Sequence, residues 1–310
     1  MGTSPATEPA SVASTPASWA TVSWGLVRAI RPLDWTKNIL VFAAAVFSGE
    51  FFHRQAMVNA MEAFAALCLV ASATYLVNDV RDREADRYHP TKRKRPIASG
   101  VVPPTIALGV AVVLGGGGVA LGFAVNRGTG LGVLGYLVLT TVYSLLLKHA
   151  VILDVLTLSS AFVLRVIVGA EAVQVEFSTW LVLCTFLLAL FLGFGKRRHE
   201  LVLLEDDAQP HRPVLTEYSP HFLDMMMAVV TTATVMSYAL YTMAPETVAR
   251  FHSRNLIYTS VFVLYGIFRY LYLIHKKSSG GSPVQMFYRD RPLQIAVGLW
   301  VASVFLLRYL

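Results

Sequence analysis

Residues 57–86 read MVNAMEAFAALCLVASATYLVNDVRDREAD, an apolar run that ends in a cluster of acidic residues. Residues 57–78 are long enough to cross a bilayer as a helix, which takes about 20 residues. The acidic residues follow directly, with no turn residue between them and the apolar run. This stretch therefore predicts a membrane-spanning helix that carries an acidic face at the point where it leaves the membrane.

Apolar runs of this kind recur along the chain. Of its 310 residues, 55% are hydrophobic and 15% are charged, whereas about 25% are charged in an ordinary soluble domain. Nine candidate spans follow: residues 38–52, 57–78, 103–125, 129–147, 150–171, 177–195, 222–244, 256–274 and 293–309. The sequence therefore predicts an all-α, polytopic membrane protein with about nine transmembrane helices.

The amino-terminal residues differ in composition from the rest. Residues 1–22 are rich in Ala, Ser, Thr and Pro, and they lack both the basic region and the continuous apolar region of a signal peptide. We interpret them as a disordered tail, followed by one transmembrane domain over residues 23–310. The amphipathic residues 24–37 include Trp35 and Lys37, which suit a membrane interface.

Lys and Arg are distributed unevenly among the predicted loops. The formal net charge is +7, but basic residues sorted into particular loops of a membrane chain indicate topology rather than a surface for nucleic acid. One side collects the basic residues of 28–37, 81–95, 148, 196–198 and 276–291. By the positive-inside rule, this side and the amino terminus are cytoplasmic and the carboxyl terminus lies outside the cell membrane.

Two other features are typical of helix packing rather than chemistry. Cys68 and Cys184 each lie inside an apolar run, which predicts two buried small side chains and neither a disulfide framework nor a thiolate metal site. Residues 115–118 are four consecutive glycines, which predict close approach of two helices.

Three carboxylates follow the second span at helical spacing. Asp79, Asp82 and Asp86 are separated by three and four residues, so they line one face if the helix continues. Carboxylates so close repel one another, and a hard oxygen-binding cation such as Mg²⁺ would hold them together while leaving positions for phosphate oxygens. Asn78 adds a neutral oxygen ligand. The alternative is a solvated helix end, neutralised by basic neighbours at 81, 83 and 87.

A basic loop comes next in the sequence. Pro90 and Pro96 break the helix, and residues 92–95 between them are four consecutive cations. Lys92, Arg93 and Arg95 are candidates for binding a substrate with several phosphates, since Lys and Arg neutralise the oxygens that a metal ion does not bridge. The alternative is that these residues serve only as a positive-inside anchor.

The pattern Asn78-Asp79-x-x-Asp82-x-x-x-Asp86 resembles the first Asp-rich motif of the UbiA superfamily of intramembrane prenyltransferases, and the nine predicted helices agree with that fold. The resemblance implies a second Asp-rich motif after the sixth helix, which together with the first holds Mg²⁺ on a prenyl diphosphate. At that position this chain reads Gly195-Lys196-Arg197-Arg198-His199-Glu200-Leu201. An acidic cluster and a basic cluster suit a donor that carries a pyrophosphate at one end and a separate phosphate at the other, as phosphoribosyl pyrophosphate does.

From residue 31 to the carboxyl terminus, the chain is similar to the decaprenyl-phosphate phosphoribosyltransferase branch of the superfamily. The matching segments are Arg31-Pro32-x-x-Trp35-x-Lys37-Asn38, residues 78–100, Leu147-Lys148-His149, residues 195–201 and Arg289-Asp290-Arg291. The pair Tyr143 and Lys148 is spaced slightly more widely than is usual in the superfamily. The resemblance implies transfer of 5-phosphoribose from phosphoribosyl pyrophosphate to a polyprenyl (decaprenyl) phosphate, which releases pyrophosphate and serves synthesis of the arabinose donor for the cell wall.

The same resemblance implies roles for individual residues. The implied catalytic residues are Asp79, Asp82, Lys148 and Lys196, and the implied Mg²⁺ ligands are Asn78, Asp79, Asp82 and Asp86. The implied substrate-binding residues are Lys37, Asn78, Lys92, Arg93, Arg95, Tyr143, Asp154, Arg165, Arg197, Glu200, Arg289 and Arg291. Lys196 and Arg197 would bind the sugar 5-phosphate. Lys37, Lys148 and Arg165 would bind the lipid phosphate or the pyrophosphate.

Asp154 and Arg165 both fall within the fifth predicted span. They are about three helical turns apart and therefore share roughly one face, and charges at that depth should face the interior of the bundle. Substrate binding and a purely structural pairing both remain open for them.

Two other functions compete with this interpretation. The first is an aromatic prenyltransferase of the same fold, which would use a prenyl diphosphate donor; the basic second motif argues against it. The second is a lipid or ion transporter, which should show broken helices and charges near the bilayer midplane, whereas the charges here gather at one membrane face. Association into a homo-oligomer stays open.

Overall fold

A computed structural model of the chain describes residues 19–89, 91–176, 178–205, 215, 217–276 and 283–309. Of the predicted disordered tail, residues 1–18 lie outside the described residues. Residues 19–22 belong to the first helix, which begins at Trp19. The boundary predicted after residue 22 is therefore too late, because Trp19 and Val22 are the start of the amphipathic helix rather than part of the tail.

The described residues are helical almost throughout and contain no strand. Their α-helices, in chain order, are α1 Trp19–Ala29, α2 Val41–Ser48, α3 Arg54–Arg81, α4 Arg83–Tyr88, α5 Pro104–Val125, α6 Arg127–Leu145, α7 Leu153–Val173, α8 Thr179–Glu205, α9 Pro220–Met243, α10 Pro245–Phe251, α11 Ser260–Lys276, α12 Pro283–Arg289 and α13 Arg291–Tyr309. Short 3₁₀ helices lie at Pro32–Leu40, Glu50–Phe52, Lys92–Lys94, Leu147–His149 and Asn255–Thr259.

Eight helical segments in the described part of the chain are long and apolar enough to cross a membrane. They are α3, α5, α6, α7, α8, α9, α11 with the 3₁₀ turn before it, and α13, and they correspond to eight of the nine predicted spans. Successive spans run in alternating directions. We call the end of the bundle where α3 finishes, at Arg81, the motif end, and the end where α3 begins, at Arg54, the far end.

The predicted first span, residues 38–52, is not one helix, and this prediction is wrong in form. A 3₁₀ helix, Pro32–Leu40, leads into the eight-residue α2, which stops before Gly49, where φ is 92°. With rises of about 2.0 and about 1.5 Å per residue, the two pieces together extend over roughly 30 Å, the thickness of a hydrocarbon core. The chain therefore makes this crossing with a composite 3₁₀ and α segment.

Contacts at both ends of the composite segment show that it extends from the motif end to the far end. At the motif end, Arg31 contacts Asp79 near the close of α3. At the far end, the Arg308 guanidinium donates to the Ser48 carbonyl at 2.8 Å, and the Tyr309 hydroxyl donates to the Val46 carbonyl at 3.1 Å. The carboxyl-terminal end of α13 therefore lies at the far end, opposite to the acidic motif.

The composite crossing is held by a buried arginine. Arg165 of α7 donates through Nε to Asn38 Oδ1 at 2.8 Å and through Nη2 to the Tyr136 hydroxyl at 2.7 Å. Asn38 in turn donates to Cys68 Sγ at 3.2 Å. These side-chain hydrogen bonds tie the end of the 3₁₀ segment to α3 and α7.

Glycines allow α5 to approach α3 closely, as predicted. A Cβ on Gly118 would stand 2.7 Å from Val70 Cγ2 and 2.8 Å from the Ala66 carbonyl, while one on Gly115 would make an ordinary contact with Ala73. Gly116 and Gly117 face open space. Only two of the four glycines therefore serve the interface, because helical periodicity turns the middle two away from α3.

Candidate functional site

The acidic motif lies where the long helix α3 ends. The helix closes at Arg81, Asp82 occupies the turn with φ −84° and ψ 4°, and the short helix α4 begins at Arg83. Asp79 and Asp86 are buried, with 1% and 4% of their surface exposed. The side chain of Asp82 is 30% exposed. Asp82, at the break between the two helices, is therefore partly exposed, whereas the carboxylates before and after it are buried.

Two guanidinium groups neutralise the buried carboxylates. Arg31 Nη2 lies 2.5 Å from Asp79 Oδ1. Arg95 Nη1 bridges the two acids, at 3.1 Å from Asp79 Oδ1 and 2.6 Å from Asp86 Oδ2. Arg95 therefore bridges the two buried acids, while its predicted binding of a substrate phosphate stays a prediction.

Arg31 is a site residue that the assignment of roles from sequence missed. It precedes Pro32 and adopts a left-handed backbone, with φ 52° and ψ 65°, which few residues other than glycine do. Burial alone would lower the pKa of its guanidinium, but the Asp79 carboxylate beside it raises that pKa above the usual value, so Arg31 stays charged. The only sequence signal was its place in the Arg31-Pro32 segment.

Asp82 pairs with a cation from a different helix. Lys148 Nζ lies 2.7 Å from Asp82 Oδ1, and the Asn78 amide nitrogen donates to Asp82 Oδ2 at 3.1 Å. Arg81 donates to the carbonyls of Ser144 and Leu145 at 2.7 and 3.0 Å. Residues 143–148, at and just after the end of α6, are therefore tied to the end of α3, which places Lys148 beside the acidic motif.

The three carboxylates do not converge on one point. Among the described residues, no group of three or more His, Cys, Asp or Glu side chains is placed to hold a metal ion. The Asn78 amide nitrogen donates to Asp82, and the predicted role of Asn78 as a metal ligand stays a prediction. The donor chemistry still fits Mg²⁺, which is usually bound through one or two carboxylates together with substrate phosphates and water.

The basic second motif is built around a buried ion pair. Arg197 is 2% exposed, and its Nε lies 2.7 Å from Asp154 Oδ2 while its Nη1 lies 2.6 Å from Glu200 Oε2. Its Nη2 reaches the Tyr143 hydroxyl at 3.5 Å. The structure thus brings Tyr143, Asp154, Arg197 and Glu200 together, but it places Arg197 among carboxylates rather than toward a ligand.

Lys196 is the more accessible cation of this motif. Its side chain is 43% exposed, and its Nζ lies 3.7 Å from Glu200 Oε1. Because Tyr143 contacts Arg197 and Lys148 contacts Asp82, residues 143–148 link the two motifs at the motif end.

Asp154 and Arg165 do not pair with each other. Each binds a different set of protein side chains. Asp154 binds Arg197 of α8 and the Tyr218 hydroxyl, while Arg165 binds Asn38 and Tyr136. Their separation along α7 explains the result, since three helical turns amount to about 16 Å.

The remaining predicted binding residues lie outside this linked set. Lys37 pairs with Asp34 at 2.6 Å. Arg93, Arg289 and Arg291 are exposed and Lys92 is half-buried. Asp290, between the last two arginines, accepts two hydrogen bonds from Arg269, at 3.0 and 2.8 Å. Within the described ranges, no hydrogen bond or ion pair joins Arg93, Arg289 or Arg291 to the acidic motif.

Comparison with known proteins gives a consistent assignment. The UbiA prenyltransferase family matches residues 18–289. Decaprenyl-phosphate phosphoribosyltransferase of Corynebacterium glutamicum is 35% identical over 92% of this chain and 87% of its own length. The protein of the same name from Mycobacterium tuberculosis is 36% identical over 90% of this chain and 93% of its own length.

Solved structures support the fold. A UbiA homolog from Archaeoglobus fulgidus, solved with GPP and Mg²⁺, aligns with a TM-score of 0.67 at 18% identity and covers 92% of this chain and 100% of that chain. A structure of digeranylgeranylglyceryl phosphate synthase aligns with a TM-score of 0.65 at 17% identity, over 92% of this chain and 97% of that chain. At these identities the likeness concerns the helical architecture alone.

Proposed function

Because the chain belongs to the UbiA prenyltransferase family, we propose that it transfers 5-phosphoribose from phosphoribosyl pyrophosphate to a polyprenyl phosphate, with release of pyrophosphate. The relatives from Corynebacterium glutamicum and Mycobacterium tuberculosis carry the name of that activity with a decaprenyl phosphate acceptor. In this proposal the product is a precursor of the arabinose donor used in cell-wall synthesis.

The observation that carries the proposal is the pairing of one acidic motif with one basic motif. Asp79 and Asp82 lie at the end of α3, and residues 143–148 connect them to the segment that contains Lys196. A donor with a pyrophosphate at one end and a phosphate at the other matches this arrangement, since the acidic motif can bind the pyrophosphate through a metal ion and the basic motif can bind the phosphate. A prenyl diphosphate carries no phosphate apart from its diphosphate, so it leaves the cationic motif without a ligand.

Mg²⁺ is the metal that suits the carboxylates. Asp79 and Asp82, with Asp86 nearby, would hold it, and when bound it would neutralise charge on the departing pyrophosphate. The carboxylates are now neutralised by Arg31, Arg95 and Lys148. With Mg²⁺ bound to the carboxylates, Arg31, Arg95 and Lys148 would be available to bind substrate phosphates at the same site.

The bond changes place modest demands on the protein. An oxygen of the lipid phosphate attacks the anomeric carbon, the bond from that carbon to the pyrophosphate oxygen breaks, and both electrons leave with pyrophosphate. The lipid phosphate is ionised at neutral pH, so no general base is needed. Catalysis consists of aligning two anions and stabilising the negative charge that develops on the leaving group.

Individual residues then take distinct parts. Lys148, beside Asp82, aligns the lipid phosphate or the pyrophosphate, and Lys196 binds the sugar 5-phosphate. Arg197 is a positioning residue, because it binds Asp154 and also Glu200, which contacts Lys196, and is itself inaccessible. Arg165 stabilises the composite crossing rather than contacting substrate.

The proposed orientation places the motif end in the cytoplasm, where phosphoribosyl pyrophosphate is available. The basic residues collected at this end support that choice by the positive-inside rule. The amino terminus then lies inside and the carboxyl terminus outside the cell membrane. Many large apolar side chains are exposed on the spanning helices, and this surface can accommodate the polyprenyl tail within the bilayer.

The test is direct assay of the purified chain in detergent. Phosphoribosyl pyrophosphate, Mg²⁺ and a short polyprenyl phosphate are added, and the masses of the extracted lipids are measured by mass spectrometry. We expect a lipid heavier by one phosphoribosyl group. In a parallel arm, a prenyl diphosphate and an aromatic acceptor replace these substrates.

A matched pair of variants separates specific from general effects. Asp82→Asn removes a carboxylate of the motif, while Glu84→Gln removes one from α4 that is 68% exposed and paired only locally with Arg87 among the described contacts. We expect the first to lose transfer and the second to keep it. Product in the prenyl diphosphate arm alone would overturn the proposal in favour of an aromatic prenyltransferase.

A further inference from the structure

Tyr218 is fixed in place at the motif end, just before α9 begins. Its neighbour Ser219 caps that helix by accepting a hydrogen bond from the Phe222 amide at 3.1 Å. The Tyr218 ring stacks on Phe222 with centroids 6.1 Å apart and an interplanar angle of 27°. Only 5% of Tyr218 is exposed, so packing against its neighbours fixes the position of its hydroxyl.

The Tyr218 hydroxyl makes two hydrogen bonds to one short segment. It accepts from the Ile152 amide at 2.6 Å and donates to Asp154 Oδ1 at 2.9 Å. Burial raises the pKa of Tyr218 to about 12, so the hydroxyl stays protonated and able to donate at any physiological pH. The other oxygen of Asp154 accepts from Arg197.

Ile152 needs that support because its backbone is strained. Its φ of 68° and ψ of −47° are rarely adopted by a residue with a branched side chain. It is the centre of a γ-turn, closed by a hydrogen bond of 2.7 Å from the Leu153 amide to the Val151 carbonyl. Such turns are uncommon, and they persist only where the surroundings fix them.

The strained turn lies between a site lysine and the helix that follows it. Lys148 belongs to the 3₁₀ helix Leu147–His149, four residues before Ile152, and α7 begins at Leu153. The turn therefore sets the angle between α7 and the preceding segment that carries Lys148. Lys148 reaches Asp82 at 2.7 Å across the bundle, so a rotation of the turn would move its ammonium group away.

We propose that Tyr218 is a positioning residue, whose hydroxyl holds the strained turn at Ile152 so that Lys148 stays directed at Asp82 and at the substrate phosphate beside it. The kinetic part of this proposal rests on the proposed function. The structural part, which concerns the turn itself, does not.

The test uses the full chain with Tyr218→Phe, which deletes the hydroxyl and keeps the ring that stacks on Phe222. We expect kcat to fall about tenfold or more, since one misdirected group in a catalytic site has effects of this order, while the KM for phosphoribosyl pyrophosphate changes much less. Hydrogen exchange in residues 147–156 should become faster. The matched control is Tyr258→Phe, because Tyr258 is 74% exposed and lies at the far end.

A second substitution distinguishes positioning from general support of the fold. Glycine adopts positive φ without strain, so Ile152→Gly lets the turn form without help. In that background, Tyr218→Phe should lower kcat by no more than about threefold. A residue needed only for stability would show no such rescue.

Each remaining outcome decides the matter. Unchanged kcat and unchanged exchange at residues 147–156 in Tyr218→Phe would overturn the proposal, and so would a fall in kcat that parallels a loss of thermal stability without faster local exchange. If the wild-type chain transfers no phosphoribose, the proposed function fails. The exchange measurement, which needs no substrate, then still tests whether Tyr218 holds the turn.

Discussion

The buried ion pair between Asp154 and Arg197 allows a stability prediction of defined size. The two side chains are 0% and 2% exposed and their charged atoms are 2.7 Å apart. Asp154→Asn keeps nearly the same shape and still offers an oxygen to the Tyr218 hydroxyl. Its amide nitrogen then replaces Oδ2, so the substitution removes both the charge that balances Arg197 and the acceptor for the Arg197 Nε–H group.

The expected loss follows from the burial of the pair. Removing one partner of a buried salt bridge lowers the free energy of unfolding by about 3–5 kcal/mol, because the other charge is left uncompensated. Arg197 retains Glu200 at 2.6 Å, whose side chain is 27% exposed. We therefore expect a loss near the lower limit, about 3 kcal/mol.

Asp224→Asn provides the matched control. Asp224 pairs with Arg198, the next residue along α8, with contacts of 2.5 and 3.3 Å, but its side chain is 36% exposed. Exposed pairs contribute only about 0.2–1 kcal/mol. Both variants are unfolded in mixed micelles by a denaturing detergent, with tryptophan fluorescence as the readout. Equal losses in the two would refute the reasoning that burial makes Asp154 the costlier acid to neutralise.

Four further predictions follow from the site and the fold. Asp82→Asn should reduce transfer about 100-fold or more in the mass assay, with the unfolding midpoint retained, because it removes a charge that faces the substrate. Lys196→Ala should raise the KM for phosphoribosyl pyrophosphate about tenfold, with little change in kcat, since it loses one charge-assisted contact. Chelation of divalent cations should stop transfer without lowering the unfolding temperature, because Arg31, Arg95 and Lys148 already balance the acids. Gly118→Leu should destabilise the bundle by about 1–3 kcal/mol through overpacking against α3.

Each of these has an outcome that would contradict it. Normal turnover of Asp82→Asn would remove the metal assignment, and a fall in kcat alone for Lys196→Ala would move that residue away from donor binding. Unfolding on chelation would mean that the metal ion, not the cations, holds the motif together. For the glycine, the control is Gly117→Leu, which faces open space, and equal destabilisation by both would disprove the close contact.

Local patterns in the sequence were sufficient to predict much of the fold. Eight spans followed from apolar runs, because a helix in lipid satisfies its own backbone and its hydrophobic length is set by the bilayer. The glycine run predicted an interface, and the structure places Gly115 and Gly118 there. These predictions succeeded because each depends on residues close together in the sequence.

The parts that failed depend on partners far away in the sequence. The crossing at Pro32–Leu40 is a 3₁₀ helix whose Asn38 is held by Arg165, 127 positions later. The sequence also did not predict that Asp154 reaches Arg197 from another helix, and the expected contact of Arg197 with a phosphate stays a prediction. Spacing along one helix reports which residues share a face. It does not report which charge from a neighbouring helix arrives at that face.

The way charges are paired decides which cations a substrate can recruit. At the acidic motif, three carboxylates are matched by three cations that come from separate segments, so under the proposed function these cations would be available to the substrate phosphates if Mg²⁺ neutralised the acids. Arg197 differs, because both of its acid partners stay in place and Asp154 has no exposed surface. Moving Arg197 onto a phosphate would leave that carboxylate buried and unbalanced, at several kcal/mol. Under the proposed function we therefore expect the second phosphate of the donor to be bound by Lys196, whose side chain is 43% exposed, while Arg197 keeps the framework around it fixed.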